Sequence, residues 1–218
     1  GDAGVDIVYG EKDTFDPTET NFSSIATAIK ASNPDATLVI AFDQTKPLLK
    51  ALASAGVDMS KLYFVDGNTS DYSSELDAGL LKGSKGTIPG VNPSDDFIKR
   101  LESTGVDLKN TTTYAAETYD GIILAALAAQ KGGSADGKTI QANMAAVSGA
   151  DGGEKCDSYK ACLALLKDGK DIQYQGQTGI GPFNKNNDPS SANIGVYTFD
   201  GDNKPVFDHT QSGDVPTD

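Results

Sequence analysis

The sequence predicts an α/β protein, a parallel sheet with flanking helices, and three observations lead there. Short strand-like runs alternate with amphipathic, helix-length stretches over about the first seventy residues. The connections between them are brief, as in successive βαβ units. No apolar run approaches the ~20 residues that a membrane span needs. At 218 residues the chain can form one large domain or two small lobes, each with its own core.

Taken in order, Val5-Asp6-Ile7-Val8-Tyr9 alternates and reads as a strand, followed by a turn-rich stretch from Gly10 to Thr20. Asn21 is placed to cap a helix whose apolar face is Phe22, Ile25, Ala26, Ala28 and Ile29, and Ser32-Asn33-Pro34-Asp35 stops it. Ala36 to Phe42 is a continuous apolar run, the mark of a parallel strand buried on both faces. Pro47 opens a second helix, with Leu48, Leu49, Leu52 and Ala53 inward, and Gly56 closes it. Leu62-Tyr63-Phe64-Val65 is a further strand, ending at Asp66-Gly67-Asn68.

After about residue 84 the pattern changes. Gly86 to Val91 reads as a short crossing strand interrupted by Pro89. Helical stretches follow over 93–102, 114–130, 138–147 and 158–167, the second carrying Tyr119, Ile122, Ile123, Ala126 and Leu127 on one stripe. Strand character returns at 172–176 and 194–199, and the residues past His209 are polar and expected to fray. The chain is thus unbalanced: a βαβ ladder, then a helix-rich block with no sheet of its own.

Charge excludes several functions. Thirty-one acids against 18 bases give a net charge of −13 with no basic stripe, so nucleic acid and anionic membrane surfaces are poor partners. The two cysteines, Cys156 and Cys162, are six residues apart. On one continuous helix they would stand roughly 9 Å apart along the axis, too far for a bridge. A disulfide requires Cys156 to lie before the helix and fold back, which Gly152-Gly153 permits. An even count in an acidic, Met-poor chain favours that disulfide and an oxidising compartment over two free buried thiols.

Catalytic and metal motifs fail on context. Gly132 to Thr139 satisfies G-x4-G-K-[ST], but a phosphate loop needs a strand before it, and Leu124 to Lys131 is helical by propensity and period. Asn184-x-Asn186-x-Asp188 starts like a calcium loop, yet Pro189 stands where glycine is required. His209, the sole histidine, gives a serine triad nowhere to assemble, and Asp95-Asp96 suit the positive end of a helix. The reading is therefore of a protein without catalysis, cofactor or metal. What remains is the carboxyl edge of the ladder, where open parallel sheets bind ligands. It carries Phe42, Asp43 and Gln44 after one strand and Asp66, Asn68 and Thr69 after the next. A carboxylate such as Asp66 with polar neighbours is what a cationic amine needs.

The order of residues Asn21 to Ile25, Ile29 to Ala36, Leu48 to Gly56, Tyr114 to Ile122, and Gly176 to Asn184 with Ile194 to Tyr197 resembles the type I solute-binding proteins of ABC transporters. Those of the branched-chain amino acid group are nearest in texture. The resemblance implies two α/β lobes joined by three crossings, with this chain starting part-way through the second lobe and lacking the first sheet of the other. It divides the chain into 1–88, a second-lobe βαβαβ sheet; 89–172, helices like those of the first lobe; 173–208, returning strands of the second lobe; and 209–218, a tail. It implies that Asp66 accepts the ligand's α-amino group and that Phe42 stands at an aromatic position beside the ligand. The function implied is a substrate-binding component of an ABC importer, outside the cytoplasm as a periplasmic or lipid-anchored protein. It would take up an amino acid or related small solute and deliver it to a membrane permease. Exposed apolar faces would make the chain pair with another copy. Two alternatives are a ligand-sensing receptor domain of the same fold and a nucleotide-binding or carboxylate-dependent enzyme.

Overall fold

Three of the six described α-helices begin where a short polar side chain accepts the first free amides. The structure, a computed structural model, describes residues 4–10, 14–108, 111–179 and 181–215. Ser94 Oγ accepts from Phe97 N and Ser158 Oγ from Ala161 N, opening two of the helices. Asn21 accepts from Ser23 N just ahead of another. The order of elements is α1 Ser23–Ser32, β1 Thr37–Val39, α2 Thr45–Ser54, β2 Leu62–Phe64, β3 Lys85–Pro89, α3 Asp95–Glu102, α4 Ala115–Gly132, α5 Gly137–Ser148, β4 Glu154–Cys156, α6 Tyr159–Lys167, β5 Ile172–Tyr174, β6 Ser191–Phe199 and β7 Pro205–Asp214. The fold is mixed α/β, and the chain forms two units, 1–88 with 196–209 and 89–195 with 210–218.

The first unit is built on a βαβ ladder shorter than the expected βαβαβ, with α1 ahead of β1, α2 between β1 and β2, and no α-helix between β2 and β3. Strands β1, β2 and β3 are parallel, with Val39 opposite Phe64 and Phe64 opposite Gly86, and the sheet order is β1-β2-β3-β6-β7. Helices α1 and α2 bury Phe22, Ala26 and Ile29, and Leu48, Leu49 and Leu52, against Val39, Leu62 and Phe64. Each of the larger side chains contributes on the order of 1.5–3 kcal/mol on burial. Phe64, Tyr72 and Phe199 close the core as an aromatic cluster, with Phe64 and Phe199 centroids 5.0 Å apart. The Tyr72 hydroxyl donates to Asn68 O at 2.7 Å, and burial pushes its pKa up to about 12.

Three expectations change here. Val5 to Tyr9 form no strand and are exposed, for alternation alone does not make a strand, and these residues join neither sheet. The run from Ala36 to Phe42 is buried on one face alone: Val39 and Ala41 are inside, while Leu38, Ile40 and Phe42 are 61%, 69% and 75% exposed. Both helices pack on the Val39 side, so the other side has no cover among the described residues. Finally, β7 runs on to Asp214, past the expected tail from 209, since a strand needs only backbone pairing with its neighbour β6.

The second unit is not without a sheet. Strands β4 and β5 pair in parallel, Glu154 opposite Ile172 and Cys156 opposite Tyr174. Ile172 and Tyr174 pack with Leu124, Leu127 and Ala128 of α4, Val147 of α5, Cys156 and Cys162. Cys156 ends β4, the disulfide folds it back to Cys162 in α6, and their Cα atoms are 5.3 Å apart. Residues 173–195 belong to this unit, and the chain re-enters the first at Val196.

Candidate functional site

Because β1 and β2 are parallel and in register, their carboxyl ends stand side by side. Beyond β1 the chain turns through Phe42, Asp43 and Gln44 into α2, with Thr45 N donating to Phe42 O at 2.9 Å. Beyond β2 it tightens into one 3-10 turn, Asp66–Asn68. Asn68, fully buried, fastens the two ends together. Its Oδ1 accepts from Val65 N at 2.8 Å, and its Nδ2 donates to Val39 O at 2.9 Å and to Thr45 Oγ1 at 3.2 Å.

The six residues read from the sequence separate into two groups. Gln44, Asn68 and Thr69 turn their polar groups to the protein. Gln44 Nε2 donates to Pro17 O at 2.6 Å, and its Oε1 accepts from Phe42 N at 3.2 Å. Thr69 Oγ1 donates to Val65 O at 2.8 Å and lies 3.3 Å from Thr87 O. These three build the edge. Asp43, Asp66 and Phe42 form its exposed surface. Thr45, buried beneath the turn and bonded to Asn68, belongs to the same framework and carried no signal in the sequence beyond its place at a helix start.

The rejected motifs have plain structural explanations. Gly133 to Asp136 is a turn between α4 and α5, and Asp136 caps α5. Its Oδ1 accepts from Lys138 N at 3.1 Å and Thr139 N at 3.0 Å, so the amides a phosphate would need face a carboxylate. The Ser134 hydroxyl, followed by Thr139, holds that carboxyl well below the usual range. Asn184 Oδ1 accepts from Asn186 N and Asp188 N, closing its turn on itself. Among the described residues no group of three or more His, Cys, Asp or Glu is placed to hold a metal. No described helix is long and apolar enough to cross a membrane.

A buried acid organises the second unit. Asp120 of α4 accepts from the Tyr174 hydroxyl at 2.9 Å, Gln177 N at 2.9 Å, Thr178 N at 2.8 Å and Thr178 Oγ1 at 2.9 Å. Gly176 passes so close to that carboxylate that a Cβ would collide with it. Helix α4 and the stretch that starts at Gly176 are therefore two halves of one joint. Ile180 lies outside the described residues.

The comparisons agree with this architecture. A family model described as periplasmic binding protein matches residues 1–160. The crystal structure of the leucine-binding protein LivK from Thermotoga maritima superposes with a TM-score of 0.57 at 16% identity, covering 88% of this chain and 49% of that one. A structure described as an ABC transporter permease from the Pseudomonas fluorescens group gives 0.44 at 19% identity, covering 87% and 46%. The chain spans about half the length of these proteins. No curated protein matches it. With the family model covering nearly three quarters of its residues and a parallel α/β ladder of the fold seen in the leucine-binding protein, the chain belongs to the periplasmic binding protein family.

Proposed function

We propose that this chain is part of a solute receptor of an ABC importer, binding an amino acid or related small organic amine without catalysis and passing it to a membrane permease. The observation that carries the reading is the edge itself. Two parallel strand ends, locked together by Asn68, present Asp43, Asp66 and the ring of Phe42 to solvent at the place where open α/β sheets take ligands. Asp66 is the carboxylate for an ammonium group, and Phe42 offers apolar surface beside it. The Cys156–Cys162 disulfide suits a protein that works outside the cytoplasm, and family membership favours the same side of the membrane.

Thermal-shift screening of the protein against the amino acids tests this. One or more should raise Tm, and Asp66→Ala should abolish the rise while leaving the unliganded Tm within a few degrees. A rise that survives Asp66→Ala would remove Asp66 from the site.

A further inference from the structure

We propose that Gly67 is a positioning residue, required because it seats the ring of Phe42 as an apolar platform next to Asp66. The inference rests on the binding role just proposed. Gly67 is not among the glycines with positive φ, so its backbone conformation does not itself call for glycine. What calls for it is the ring. A Cβ at position 67 would lie 2.7 Å from Phe42 Cε1, 2.8 Å from Phe42 Cδ1 and 3.3 Å from Ala41 O. The ring thus rests against the bare backbone of the turn, yet Phe42 remains 75% exposed. One side of the ring is backed by the protein, and the rest is offered to solvent. Asp66 directly precedes the glycine on which the ring rests, and Asp43 directly follows the ring. An ammonium group can meet a carboxylate while the rest of the solute covers the aromatic surface.

NMR titration of the 218-residue protein with L-leucine and L-phenylalanine, and with succinate as an anionic control, tests the inference. The amino acids should shift the amides of residues 42–44 and 66–69, and succinate should not. Gly67→Ala should displace the Phe42 ring, seen as loss of its ring-current effect on residue 67, and weaken amino-acid binding about tenfold. In a Phe42→Ala background the same substitution should change binding less than twofold, since a residue that acts through the ring has no effect without it. If Gly67→Ala fails to fold, recovery of folding in the Phe42→Ala double variant supports the steric role, and no recovery overturns it. Wild-type spectra that answer neither amino acid overturn the proposed function and this inference together. A responding wild type matched by Gly67→Ala, or an equal loss in the Phe42→Ala background, overturns the inference alone.

Discussion

At the scale of single residues, acceptors and donors far apart in the chain decide what holds. Asp120 gathers four donors from residues 54 to 58 positions away. Its removal takes the acceptor from two buried donors, the Tyr174 hydroxyl and the Thr178 amide, and each such loss costs about 1–3 kcal/mol. Asp120→Ala should therefore lower the unfolding free energy of the second unit by about 3 kcal/mol or more, read from urea midpoints at constant m-value. Asp136 offers a different measurement. Its carboxyl is held below the usual range by Ser134, and a depressed pKa means stability present above the unfolded pKa and lost as pH falls through the folded one. Carboxyl-carbon NMR should show Asp136 protonating below the usual carboxylate range, and Ser134→Ala should move it back up. Both lie within stretches read from the sequence, 114–122 and 132–139, though neither is singled out there. Asp136 bonds within three residues, which is local chemistry that a helix-cap pattern exposes. Asp120 bonds only across the fold.

At the scale of elements, what was legible followed periodicity and what was missed lacked it. Helices α1 to α6 each carry a 3.6-residue stripe or a polar cap, and the sequence places all six within a few residues. Strand β4, Glu-Lys-Cys, has no apolar alternation and exists because Glu154 to Cys156 pair with Ile172 to Tyr174. Strand β7 is likewise polar and mostly exposed, so hydropathy reads it as tail. At the strand edge, the residue types were visible but their division was not. Asn68 is buried and bonds to Val39 and Thr45, whereas Asp66, two residues earlier, is exposed. The disulfide between β4 and α6 also belongs to this scale. Closing a six-residue loop restricts the unfolded chain by about 2 kcal/mol in the chain-entropy view. Replacing both Cys156 and Cys162 with Ser should lower the unfolding free energy by about that amount, and dithiothreitol should affect the wild type but not the variant.

At the scale of the whole molecule, the informative feature is a sheet face with no cover among the described residues. Parallel sheets are ordinarily covered on both sides, because each crossover lays a helix on a face. Here only the step from β1 to β2 carries an α-helix, α2, while α1 precedes β1 and no α-helix lies between β2 and β3. Helices α1 and α2 share a single core with Val39, Leu62 and Phe64, so the helices cover one face alone. Leu38 lies opposite Tyr63 on the other face, with Ile40 two residues on, and Tyr63 is 43% exposed. Such a contiguous apolar surface draws another protein surface to it. The net charge of −13 opposes contact between copies, and that repulsion is screened by salt while the apolar attraction is not. The 218-residue chain should therefore elute as a dimer or larger on size-exclusion chromatography, more completely at 0.5 M than at 0.02 M sodium chloride. Leu38→Glu with Ile40→Glu should return it to a monomer at both, with the α1–α2 core intact by circular dichroism. A wild type that runs as a monomer at high salt would show that this face is stable in water as it stands.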